Sequence, residues 1–318
     1  QSFEAGLVAC PAPYLHHAWI GLLFWEPDAT DIPLLWFLKL PLDEQGKLDL
    51  PARDLFLKQL LTAVGSNIEA VKEGKQLQAV LEGNPFVFTP TPERQACLHA
   101  KVKTLLQLPP SQHYQACCDY LQGDLQQWQQ LAVQGFADLA VRASEHQVEL
   151  MNSIPTLPNP ALKSLALCLE NESINGALCK VLGQRIEQEG LHSETDSDLI
   201  AALIRAISRS QAVELRHKLL LKLLNNNTTQ PLAIECLAAI ATRCHLDLTN
   251  THICSAFLEA LAQHHQDTFN RVLTDLLFLP AIRPHLMAGF RHAARSEQLA
   301  AAIGGLIQAE RGSTTPLH

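Results

Sequence analysis

The sequence predicts a mainly α fold, with a small N-terminal β-hairpin or sheet region followed by a HEAT-like α-α helical repeat array. Three observations predict it. Leu and Ala dominate the apolar residues while aromatics are only 6% of the 318 residues, a composition of strong helix formers. Two short runs rich in Trp, Ile, Leu and Phe stand near the start with turn residues between them. From about Pro160 onward apolar stripes of helical period come in pairs, with first-helix starts near 160, 197, 231 and 267, or 37, 34 and 36 residues apart. Second-helix starts fall near 173, 211, 250 and 283. Periods in the thirties are those of stacked helix-pair repeats.

In chain order, Ala18–Trp25 and Leu34–Leu40 read as strands joined by a loop over Glu26–Pro33. Trp19, Leu23 and Trp25 share one face of the first strand, with Ile20, Leu22 and Phe24 on the other. Trp36, Leu38 and Leu40 face one way on the second strand, with Leu35 and Phe37 opposite. Both faces are apolar, so both need cover, and a lone hairpin needs further strands and packing. Pro41–Gly46 closes this region.

A helix is predicted from Ala52, with Leu55, Phe56, Gln59, Leu60 and Ala63 as its stripe and Gly65 as its stop. Ser66 with Glu69 reads as a capping box for the next. Asn84–Thr89 interrupts as an extended aromatic segment. Thr91, Pro92 and Glu93 then read as an N-cap, a first-turn proline and a first-turn acid. Helices are predicted over about 92–107, 111–121, 124–134 and 136–153, with Gly123 and Asp124 marking one break. Pro155, Pro158 and Pro160 mark a boundary, after which Asn159 caps a helix. Thr195 and Asp198 stand at capping-box spacing before the stripe Leu199, Ile200, Leu203, Ile204 and Ile207. The next stripe is Ala212, Leu215, Leu219, Leu220 and Leu223, with Glu214–Lys218 as an i,i+4 pair. The organisation read in this way is a β-containing region over 1–50, a helical region over 51–155 and the repeats over 156–318.

The distinctive strings are Leu35–Gly46, which reads Leu-Trp-Phe-Leu-Lys-Leu-Pro-Leu-Asp-Glu-Gln-Gly, Ala52–Lys58 and Asn84–Pro90. Together they resemble an uncharacterised proteobacterial family, a domain of unknown function, over nearly the whole chain. The resemblance implies a soluble cytoplasmic protein and brings no catalytic or binding residues with it.

Composition narrows the classes. Hydrophobic residues are 47%, which fits a globular chain, and no apolar stretch approaches the ~20 residues of a membrane span, so no membrane partner is expected. The chain opens on Gln1 rather than Met, so a natural start upstream is expected. Nine cysteines, mostly inside helical apolar patterns, read as reduced buried thiols of a cytoplasmic protein. Residues 1–199 carry 13 Lys/Arg against 24 Asp/Glu, whereas residues 200–318 carry 11 against 8. The net charge of −8 argues against avid non-specific nucleic-acid binding, while the mildly basic second part leaves a local anionic partner open.

No phosphate-binding loop, dinucleotide fingerprint, nucleophile elbow, HExxH or CxxC is present, so neither catalytic residues nor cofactors are assigned. Cys236, Cys244, His245, His252 and Cys254 are the densest metal-like set, but Cys236 and Cys244 stand two helical turns apart, and a core-and-surface reading is preferred to a metal site. His16–His17 and His264–His265 are adjacent pairs that point apart, and His146 with Glu149 lacks a second such pair. Arg205, Arg209, Arg216, Lys218 and Lys222 fall on one helix pair with Glu214 as the acid between them, and Arg283, Arg291 and Arg295 follow. These eight are the candidate binding residues, against the alternative of a solvated outer face.

The leading expectation is a non-enzymatic protein-binding or scaffold protein, with self-association through the N-terminal β region also open. The alternatives are nucleic-acid binding through the C-terminal basic residues, and an enzyme of unfamiliar type with a site at the junction of the two regions.

Overall fold

The computed structural model describes residues 2–11, 13–24, 34–65, 84–190, 196–225 and 231–313. The chain divides into two compact units, residues 1–90 and 91–318. The predicted loop over Glu26–Pro33, the Ser66–Glu69 capping box and Trp25 lie outside the described residues.

In the first unit, β1 (His17–Phe24) and β2 (Leu34–Pro41) pair antiparallel, with Ala18 opposite Leu40, Ile20 opposite Leu38 and Leu22 opposite Trp36. Alternation puts Ile20, Leu22, Trp36, Leu38 and Leu40 on one face, against Phe56 and Leu60 of α1 (Leu50–Gly65). Trp19 and Phe37 stand on the other face, where Phe88 covers both, at ring-centroid distances of 4.5 and 5.8 Å. The extended segment near Asn84 adds the further edge that the hairpin needs: Lys39 N donates to Phe86 O at 2.8 Å and Phe88 N to Phe37 O at 3.1 Å. After β2 the chain turns on Asp43, whose Oδ1 accepts from Gln45 N and Lys47 N, with Gly46 at φ 74°.

The second unit opens with α2 (Pro92–Leu105) and α3 (Tyr114–Gln122). Thr91 holds the extended N-cap conformation, but its hydroxyl makes no capping bond. The helix predicted over 124–134 is a short 3-10 turn, Trp128–Gln130. Asp124 Oδ1 accepts from Gln126 N and so starts a local turn, and Leu131 and Ala132 are extended; partly buried Leu125, Trp128 and Leu131 rest on the core from this irregular segment. The helix predicted over 136–153 is two, α4 (Val133–Val141) and α5 (Gln147–Ser153). They part where Arg142 folds back on Asp138 and lies over the Tyr114 ring, and where Tyr114 Oη and His146 Nε2 hydrogen-bond at 2.5 Å.

The paired helices then follow as α6 (Asn159–Leu169), α7 (Gly176–Glu189), α8 (Ser197–Ile207), α9 (Val213–Leu224), α10 (Ile234–Arg243), α11 (Thr251–Leu261), α12 (Gln266–Leu277), α13 (Arg283–Phe290) and α14 (Glu297–Ser313), with a 3-10 turn at His245–Thr249 before α11. Asn175, Asp196 and Asn250 cap α7, α8 and α11 through their side chains. The cap of α8 is thus Asp196 rather than Thr195, which lies outside the described residues. Asn159 is the first residue of α6, and its side chain accepts from Arg185 Nη2 at 2.7 Å.

Packing follows an alternating rule. The even helices α2, α4, α6, α8, α10, α12 and α14 each touch the next even one, and the odd helices from α3 to α13 each touch the next odd one. The two rows share one apolar core that runs from Ala96 to Leu306. Helix starts are bonded along the odd row: Asn175 Nδ2 donates to Gln147 Oε1 at 2.6 Å, and Gln211 N to Ile174 O at 3.0 Å.

The rows meet closely at Gly135 in α4. A Cβ there would lie 2.5 Å from Cys117 Sγ and 2.6 Å from His113 O, the latter a backbone atom that cannot yield cheaply. Gly135→Ala is expected to cost about 1–3 kcal/mol, the range for overpacking a filled interior. A midpoint in urea that matches the parent would show that α3 and α4 do not meet so tightly.

Candidate functional site

The C-terminal ends of three successive even-row helices carry Glu170, Arg205 and Arg243, the residues after α6, in the last turn of α8 and at the end of α10. Cations at helix C-termini lie favourably on the helix dipole. Glu170 is buried at 6% exposure and takes an ion pair from Arg243 Nη2 across α8. On the same face α2 reaches α6 across α4, so Arg94 and Cys97 of α2 join Leu167, Glu170, Asn171 and Arg205 around an open cavity of about 240 Å³, with Thr91 and Glu93 at its edge. Burial pushes the Arg243 guanidinium down, and the charges of Arg94 and Arg205 push the same way against Glu170. Three arginines therefore crowd two carboxylates.

The side chains of Arg94 and Arg205 have no ion pair or hydrogen bond among the described residues. Arg205 is half-buried, and its Nε is shut off from solvent with no acceptor. A guanidinium donor left in that state costs free energy until an acceptor arrives.

Of the eight basic residues singled out from sequence, only Arg205 lines this cavity. Arg216 is turned inward at 8% exposure: its Nε and Nη2 donate to Asp247 at 2.8 and 2.6 Å, and its Nη1 donates to Ser210 O at 2.7 Å. Lys222 pairs with Glu187 at 2.8 Å. Arg209 and Lys218 are exposed, as are Arg283, Arg291 and Arg295 on and after α13. Arg283 Nε donates to Leu277 O at 2.6 Å and Arg295 Nη1 to His292 O at 3.1 Å. Sequence reading missed Arg94 and Arg243. Recurrence could have found Arg243, because Glu170, Arg205 and Arg243 stand 35 and 38 residues apart, close to the helix-pair spacing.

A second polar cluster, partly buried, lies where α3 meets the start of α5. His146 Nε2 lies 2.5 Å from Tyr114 Oη and 3.7 Å from Cys118 Sγ, a juxtaposition of thiol and imidazole that sequence separation conceals. Burial pushes the Cys118 thiol up and the Tyr114 hydroxyl to about 12, so both hold their protons at neutral pH.

The metal-like set disperses. Cys236, Cys244 and Cys254 direct their thiols to the carbonyls of Ser197, Ile204 and His285, and no group of three or more His, Cys, Asp or Glu among the described residues is placed to hold a metal ion. His264 Nε2 contacts Leu232 O at 2.9 Å while His265 caps α12, so that pair points apart. Among the described residues no helix is long and apolar enough to cross a membrane.

These features define a mainly helical protein with an N-terminal two-stranded antiparallel sheet and an arginine-lined cavity on its helical unit. The chain belongs to the family described as Protein of unknown function (DUF3549), whose model matches residues 1–307. No curated protein and no solved structure matches the chain.

Proposed function

We propose that this chain is a non-enzymatic protein-binding or scaffold protein whose second unit is a HEAT-like array that offers its even-row helices to a protein partner. The observation that carries this reading is the alternating packing, in which each helix rests on the next but one in two rows. Such rows bury their leucines between neighbours and leave a long ledge of outward side chains, the geometry that repeat proteins use for binding. The outward residues of α6, α8 and α10 include Lys163, Leu167, Asp198, Arg205, Glu235 and Thr242. This mixed, partly ion-paired surface, with Lys163 bonded to Asp198 at 2.8 Å, resembles the rim chemistry of non-obligate interfaces.

Two observations favour this over the other readings. Arg216 and Lys222 are spent on Asp247 and Glu187, which removes two of the cations that a nucleic-acid groove would need. The thiol nearest to an imidazole is held protonated by burial, which disfavours nucleophilic chemistry there. Seven cysteines of the second unit are buried reduced thiols, which supports a cytoplasmic location.

The test is co-purification from native extract with the tagged full chain, followed by Asp198→Lys and Glu235→Lys in the same assay. A stoichiometric partner is expected, with recovery reduced by about tenfold in the variants, since like-charge juxtaposition at an interface costs on the order of kcal/mol. Repeated recovery of no partner, or equal recovery by variants of unchanged Tm, would count against the reading.

A further inference from the structure

We propose that the cavity bounded by Arg94, Arg205 and Glu170 is a carboxylate-binding site, which on the protein-binding reading receives an acidic side chain or a chain terminus from the partner. Three facts converge. Arg205 lines a cavity large enough for a small anionic group, and its Nε is shut off from solvent without an acceptor. Arg94 lines the same cavity, and its side chain has no ion pair or hydrogen bond among the described residues. Arg243 at the end of the next even-row helix is engaged by Glu170, so it holds that acid away from Arg205.

The charge on the walls selects the ligand class. Arg94 and Arg205 line the cavity with Glu93 and Glu170, and Arg243, outside the lining, takes Glu170 in an ion pair, which leaves an excess of one positive charge. A monoanion restores balance, and its two oxygens match the planar fork of a guanidinium. A phosphate dianion would overshoot the excess and meet two carboxylates at the walls. The site therefore prefers a carboxylate to a phosphate, with Arg205 as the fork and Arg94 as the second cation.

Cys97 gives the readout. It lines the cavity and is half-buried, whereas Cys117, Cys118, Cys168, Cys179, Cys236, Cys244 and Cys254 are buried. Alkylation of Cys97 in the full chain, followed by peptide mapping, would be measured against three probes at matched ionic strength. These are acetyl-tri-glutamate amide, acetyl-tri-alanine with a free C-terminus, and inorganic phosphate. Saturable protection by one or both carboxylate probes is expected, and which of them protects identifies side chain or terminus as the source. Arg205→Met and Arg94→Met should each weaken protection roughly tenfold or more, the effect of losing one charge-assisted hydrogen bond. Arg205→Lys should recover only part of it, because the fork is gone. Arg209→Met, on the same segment but outside the cavity, should leave protection unchanged.

Stability supplies an independent check. Without ligand, Arg205→Met is expected to keep or raise Tm by about 2 °C or more, because an unsatisfied buried donor is removed while the apolar stem remains. No saturable protection by either carboxylate, tighter protection by phosphate, or a lowered Tm in Arg205→Met with protection intact would each overturn the proposal. Protection by a carboxylate without any recovered partner would leave the site standing and remove the protein-binding reading. A recovered partner whose binding ignores Arg94→Met and Arg205→Met, with no probe protection, would do the reverse.

Discussion

Asp247→Asn is expected to destabilise the second unit by about 3–5 kcal/mol, the cost of stranding a buried charge by removing its partner. Asp247 is 4% exposed and lies just before α11, where its carboxylate takes two bonds from Arg216 and sits 2.9 Å from His217 Nε2. Arg216 also donates to Ser210 O at the start of α9, so one guanidinium joins the entry of one odd-row helix to the entry of the next. Without the negative charge, the guanidinium remains in the interior with only neutral oxygens to accept from it, and the new amide NH2 replaces one of the two carboxylate acceptors. Per kcal/mol a unit of this size loses about 2–4 °C, so a fall in Tm of roughly 6–20 °C should follow. The double variant Arg216→Met with Asp247→Leu should recover most of the loss, because replacing a buried pair by apolar groups is often neutral. A single variant within about 1 kcal/mol of the parent in urea would mean that water reaches the pair and that it does not tie the odd row together.

The helix register was largely legible because it depends on local signals. Starts predicted near 160, 197, 231 and 267 stand at Asn159, Ser197, Ile234 and Gln266, and the predicted second-helix start near 283 stands at Arg283. Prolines at first turns and Asn or Asp caps are read within four residues of chain. Reading failed where tertiary contact overrides local pattern. Residues 124–134 have helical composition, yet Asp124 starts a turn and the apolar side chains of that segment pack from an irregular backbone. Residues 136–153 carry an unbroken stripe, yet Tyr114 and Asp138 hold the break between α4 and α5. The candidate site was legible only in part for the same reason. A cation announces its charge in sequence but not its partner: the acid that takes Arg216 inward is 31 residues away, and the arginine that shares a cavity with Arg205 lies on α2.

Raising the pH from about 8.5 to about 9.5 is expected to destabilise the second unit by several kcal/mol. Its buried thiols hold their protons against solvent. Burial pushes Cys117 and Cys236 up to about 12 and Cys254 up to about 11, and Cys118, Cys179 and Cys244 are raised by burial too. Cys168 is raised by its hydrogen bond to Cys97 and by burial. In the unfolded chain each ionises near pH 8.5. A folded value above the unfolded one means that this contribution is fully present below about pH 8.5 and is lost as pH rises towards the folded value. Between about pH 8.5 and 9.5 each thiol that stays protonated costs about 1 kcal/mol. Several acting together rival the ~5–15 kcal/mol that holds a typical domain. Urea midpoints under reducing conditions at pH 7.5, 8.5 and 9.5 should fall gently over the first step and steeply over the second. Replacing Cys244 and Cys254 by Ala should lessen the loss between pH 8.5 and 9.5 by about 1 kcal/mol for each thiol removed, whatever the variants lose at pH 7.5. Equal midpoints at pH 8.5 and 9.5 would mean that these thiols are reached by water in the native state, and the continuous core from Ala96 to Leu306 would then be looser than its packing indicates.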